Sequence, residues 1–154
     1  MKFRNVILVA MVIGSSGVAC DSEDSSDNHN HNMGDTGETV TTTLSAETEN
    51  GHFFVQLAPP NGAVPFNELY AMGVSIYDGT DHTQLLTDVS IEIDAQMVAH
   101  GHGMSTTPVV EKQADGTFMC NGMMFHMEGH WDVIVKVTQN GVDDTATMPI
   151  NCCP

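Results

Sequence analysis

Two short runs in this chain carry side chains able to hold a soft metal ion. The first is His100-Gly101-His102-Gly103-Met104, with Met97 shortly before it. The second is Phe125-His126-Met127-Glu128-Gly129-His130-Trp131. Imidazole suits copper, zinc and nickel, whereas thioether is soft and favours copper, above all copper(I). If the first run is extended, alternation sends His100, His102 and Met104 to one side of the backbone, as a shared ion requires. Gly101 and Gly103 remove bulk and let the chain bend toward a ligand. The competing reading is an exposed loop whose glycines only serve a turn.

His126 and Met127 are neighbours, so a regular strand would send them to opposite faces. Phe125 and Met127 would then enter the core, and Met124 and His126 would share the other face. Both can serve one site only where a bulge or a strand end re-aims one of them. Six of the eleven methionines fall between Met97 and Met127. Methionine is a flexible gap-filler, so Met119, Met123 and Met124 read as packing. His52, His82 and His130 read as solvated residues at turns or strand ends, His130 being a candidate outer ligand.

The elements that must position these groups are strands. The 154 residues allow one domain with a tail. Residues 1–19 have the form of an export signal: Lys2 and Arg4, then apolar Val6 to Ile13, then the small Gly17-Val18-Ala19. Cys20 follows at once, which predicts a bacterial lipoprotein anchored through that cysteine on the periplasmic or cell-surface side, although Gly17 stands where such signals usually carry leucine. Residues 20–50 are polar and acidic and read as a disordered tether. It contains His29-Asn30-His31-Asn32-Met33, which repeats the His-x-His-x-Met spacing of the first run.

Residues 51–154 show period-two patterning. Val89, Ile91 and Ile93 alternate with Ser90, Glu92 and Asp94. Trp131, Val133, Val135 and Val137 share one face and predict much of the core. Pro59-Pro60-Asn61-Gly62, Ala114-Asp115-Gly116 and Asn140-Gly141 read as turns. Seven or eight short strands without a convincing helix predict an all-β, immunoglobulin-like antiparallel sandwich.

Loss of Lys2 and Arg4 with the signal leaves Lys112 and Lys136 against twenty acidic residues. Such a chain repels nucleic acid and anionic membrane surfaces and attracts cations. Export makes a disulfide the expected fate of cysteines. Cys152 and Cys153 are adjacent, so the simplest bridge joins Cys120 to one of them, taken as Cys152, and such bridges contribute roughly 2–4 kcal/mol.

From Met97 to Val137 the chain resembles the YtkA-like domain, related in outline to FixH-like proteins. The resemblance rests on Met97, His100-Gly-His102-Gly-Met104, Pro108, Asp115-Gly116 and Phe125-x-Met127-x-Gly129-x-Trp131 with the Val-rich strand after it. It implies an exported sandwich associated with copper handling, with Met97, His100, His102, Met104 and Met127 as the positions carried over. The chain departs from the family at Cys120, at Cys152-Cys153, and at Val98-Ala99, where the family tends to place a proline.

The expected function is therefore a membrane-tethered module that binds or delivers copper, copper(I) ahead of copper(II), using His100, His102, Met104, His126, Met127 and Met97. The partner would be a copper-requiring or copper-exporting membrane protein. No nucleophile elbow, His-Glu-x-x-His or phosphate-binding glycine loop is present, so no enzyme is expected. Zinc is disfavoured because no two-cysteine, two-histidine spacing occurs. The alternatives are an interaction domain without metal and a blue-copper carrier built on Cys120, His126 and Met127.

Overall fold

The computed structural model describes residues 44–153. The export signal, Cys20 and the His29-x-His31-x-Met33 run lie outside the described residues. What is described is an antiparallel β-sandwich. Its nine strands are β1 (Leu44–Glu47), β2 (Phe53–Ala58), β3 (Tyr70–Asp78), β4 (Ser90–Met97), β5 (His102–Gly103), β6 (Val109–Lys112), β7 (Phe118–Met123), β8 (Gly129–Gln139) and β9 (Val142–Cys152). One sheet has the order β1-β2-β3-β7-β6, and the other β5-β4-β8-β9.

Alternation along each strand builds the core. Val55 and Leu57, then Met72, Val74 and Ile76, point inward from the first sheet. Ile91, Ile93 and Ala95 meet them from β4, and Trp131, Val133, Val135 and Val137 from β8, all four of the latter fully buried. The polar partners Ser90, Glu92 and Asp94 are exposed, as the period-two pattern requires. β8 and β9 form one long hairpin through Asn140-Gly141, with eleven paired positions from Gln139↔Val142 to Gly129↔Cys152.

Three expectations are corrected. The sandwich begins before residue 51: Leu44–Glu47 pairs with β2 and is not tether. Leu44 is the only bulky apolar residue in that strand, so its composition resembles the polar segment before it. The segment around His126 and Met127, read from the sequence as strand over Met123 to Met127, is not one; β7 ends at Met123, and Phe125 makes a single parallel bridge to Phe66. The third correction concerns the cysteines. Cys152 and Cys153 form the close pair, and Cys120 is a free, buried thiol. Cys120 faces inward from β7, between Met72 and Val110, with burial pushing its pKa up to about 12.

At the end of the sandwich away from His100 and His126, a carboxylate ties the β1–β2 turn to β9. Asp144 has a side chain only 1% exposed. It accepts the backbone N–H groups of Asn50 and His52, the amide of Asn50 at 2.9 Å, and its ring contact is His52 Nδ1 at 3.0 Å. Burial pushes this carboxyl up, but hydrogen bonds from Thr48, Asn50 and Thr145 outweigh it and hold it well below the ordinary carboxylate range.

Candidate metal centre

β4 ends at Met97, and the chain then reverses through a 3-10 turn, Val98–His100. Gly101 closes that turn at φ +66°, donating its N–H to the carbonyls of Met97 (3.0 Å) and Val98 (3.2 Å). A side chain at this φ would meet its own backbone, which is why glycine stands here. The chain returns as β5, with His102 opposite Met97 and Gly103 opposite Gln96. The Met104 N–H donates to the Ala95 carbonyl at 3.1 Å. The His100–Met104 run is thus a tight reversal and not the extended segment its alternation suggests. A cleft of about 340 Å³ lies against it, lined by Met97, Val98, Gly101, His102 and Gly103.

His126 arrives from the other sheet. The β3–β7 register shifts between Tyr70 and Ala71: Tyr70 pairs with Met123 and Ala71 with Asn121, so Gly122 is left as the bulged residue. A bulge bends its strand and re-aims the residues beyond it. After it Phe125 goes into the core, while Met127 turns outward and is 37% exposed. The core position expected for Met127 is therefore not where it lies. His126 is half-buried between the two.

The three histidine rings form a row. Ring centres of His100 and His102 are 5.9 Å apart, and those of His102 and His126 are 5.4 Å apart. Two imidazoles sharing an ion at about 2 Å, with a near-tetrahedral angle between them, have ring centres roughly 5 Å apart. The spacing suits a common ion. Among the described residues, however, no three His, Cys, Asp or Glu side chains are already set around one point at metal-binding distance. Side-chain rotation must aim the nitrogens.

Trp131 forms the floor under this row. Its edge-on contacts reach His102 at 6.1 Å and His126 at 5.5 Å between ring centres. Its other neighbour, Phe125, stacks on it at 4.8 Å with planes only 3° apart. Sequence reasoning assigns Trp131 to the core alone; its place beside two histidines depends on cross-sheet packing that no single strand pattern reveals.

Two details bear on metal chemistry. His102 Nδ1 lies 3.2 Å from the Gly103 carbonyl oxygen. A proton shared there leaves Nε2 with a free lone pair, the arrangement in which ligating histidines are commonly held. His126 Nδ1 is buried and has no hydrogen-bond partner. Buried polar atoms are nearly always satisfied, so an orphaned ring nitrogen on an imidazole 5.4 Å from His102 is a candidate metal ligand.

The thioethers divide. Met97 is buried, on the strand position facing His102, and Met104 is half-buried against the core. Met127 stands in solvent. His130 points to Asn151 (3.1 Å) and Asp132 (3.3 Å) and is exposed. His52 and His82 are engaged with Asp144 and Glu47, outside the row.

Fold and site together define a β-sandwich that gathers imidazoles from both sheets at one end. Comparison with protein-family models, curated proteins and solved structures finds no match to this chain.

Proposed function

We propose that this chain is an exported, membrane-tethered module that binds copper and passes it to a membrane protein that requires or exports the ion. The observation that carries this reading is the row His100–His102–His126, with the unpartnered Nδ1 of His126 inside it. Met97 and Met104 lie beside His102 as soft donors, which favours copper(I) over copper(II). The resemblance of Met97 to Val137 to the YtkA-like domain supports the same ion. Lipidation of Cys20 would supply the anchor.

Binding asks only that these side chains rotate to converge on one point and exclude water on the Trp131 side. Copper here is cargo. Competition of the full chain against a chromophoric copper(I) chelator tests the reading. The His102→Ala, His126→Ala double variant is expected to lose at least about tenfold in affinity, the order seen when metal-site groups are removed. Unchanged affinity would sink it.

A second reading, docking without metal, draws on apolar residues at this same end. Val98, beside His100, is 70% exposed, and Phe66, bridged to Phe125, is 44% exposed. Native purification followed by metal analysis separates the two, because a chain that neither retains nor takes up copper fits only docking. Against the blue-copper alternative stands Cys120, whose inward-facing thiol is desolvated and held protonated.

A further inference from the structure

The Cys152–Cys153 pair is not used by the imidazole row, yet it lies at the same end of the molecule. Cys152 is the last paired residue of β9, opposite Gly129, which opens β8 two residues before Trp131. Cys152 is buried and Cys153 half-buried, and both line a surface cleft of about 320 Å³ with Leu44, Pro59, Val64 and Ile150. The pair therefore borders a solvent-open cleft with a largely apolar lining.

Gly129 leaves a gap between this pair and the histidines, and Met97 fills it. A β-carbon built on Gly129 would lie 3.1 Å from the Met97 Cε. The Met97 side chain thus extends from the strand position facing His102 to the residue facing Cys152. Sulfur follows imidazole across the sheet: His102, then the Met97 thioether, then the cysteine pair.

We propose that the Cys152–Cys153 disulfide, once reduced, becomes a second copper(I) site, formed by two thiolates and separate from the imidazole row. The proposal rests on the copper reading only for its choice of ion. Thiolate is the softest donor a protein offers, and copper(I) accepts few ligands, so two adjacent sulfurs suffice. The chemistry balances in two steps. A small dithiol gives two electrons and two protons, breaking the Sγ–Sγ bond and closing its own disulfide. Copper(I) then displaces both thiol protons to solvent, leaving a bis-thiolate complex of charge −1. Oxidation of the pair withdraws both donors, so copper capacity at this end follows the thiol–disulfide state.

The test is a copper(I) titration of the full chain, without oxygen, against bicinchoninate. It is run on oxidised protein and on protein reduced with dithiothreitol and desalted. Reduced protein is expected to bind one copper(I) more than oxidised protein, and Cys152→Ser, Cys153→Ser is expected to bind the same amount in both states. The extra equivalent should persist in the His102→Ala, His126→Ala background, which separates failure of this site from failure of the imidazole site. If the double cysteine variant misfolds, Cys153→Ser alone, which spares the buried Cys152, should also lose the extra equivalent. Equal capacity of wild-type protein in both states overturns the proposal. So does an extra equivalent that survives the cysteine substitutions, since it would then belong to one of the other two cysteines, Cys20 or Cys120.

Discussion

The indole N–H of Trp131 donates to the carbonyl oxygen of Met127 at 2.9 Å. One bond thus joins the first inward side chain of β8 to the loop that carries His126. The ring lies flat on Phe125 and edge-on to His102 and His126, so the residue that closes the core also sets the height of the site. Trp131→Phe keeps an aromatic floor but removes the donor and leaves the Met127 carbonyl unpaired. It is expected to cost about 1–3 kcal/mol in denaturant unfolding and to weaken copper binding severalfold. Trp131→Ala should cost about 3–5 kcal/mol.

Gly101→Ala touches no candidate ligand, and its β-carbon would meet nothing within 4 Å. Its effect is conformational: an L-residue at φ +66° is strained by about 1 kcal/mol. The turn is expected to relax and carry His100 away from His102. Copper affinity should fall while the thermal midpoint moves by only a few degrees, measured by competition titration and calorimetry on the same sample.

Methionine substitutions should discriminate between oxidation states. Met104 is held against the core beside β5, whereas Met127 is exposed with its carbonyl already engaged. Met104→Ala is expected to weaken copper(I) binding by about tenfold or more, on the scale of a lost ligand, with a smaller effect on copper(II). Met127→Ala should be near neutral for both. An equal loss from the two variants would place the soft donors differently.

Asp144 gives a pH signature far from the site. Its carboxyl is held well below the ordinary value for an aspartate by the hydrogen bonds it accepts. A depressed folded pKa means that its contribution is complete above the unfolded value and lost as pH falls through the folded one. Acid unfolding below about pH 4, the ordinary aspartate range, should therefore be less steep in Asp144→Asn. At neutral pH that variant should be less stable by about 1–3 kcal/mol, as expected when hydrogen bonds to a buried charge are weakened. Urea midpoints measured across the acid range and up to neutrality check both parts.

Legibility in the sequence follows the range of the interaction. Ile91 and Ile93, or Val133 through Val137, declare their faces within one strand, and the structure places them as alternation requires. Leu44–Glu47 escapes a sequence reading because a four-residue edge strand with one large apolar side chain has little local signal. His100 to Met104 reads as extended because alternating glycines fit a strand and a reversal equally well; only the αL geometry at Gly101 decides. The meeting of His102 with His126 depends on a bulge at Gly122 and on Trp131 between the sheets, both properties of pairing. Nothing local to Cys120 reveals that it stays a free thiol, and the structure keeps it in the opposite sheet from Cys152.

Leu44, where β1 starts, pairs with Leu57 and lines the same cleft as Cys153. The polypeptide therefore enters the sandwich on the side that presents the imidazoles. The first described strand, the cysteine pair and the imidazole row thus share one end of the sandwich, and whatever docks there meets all three.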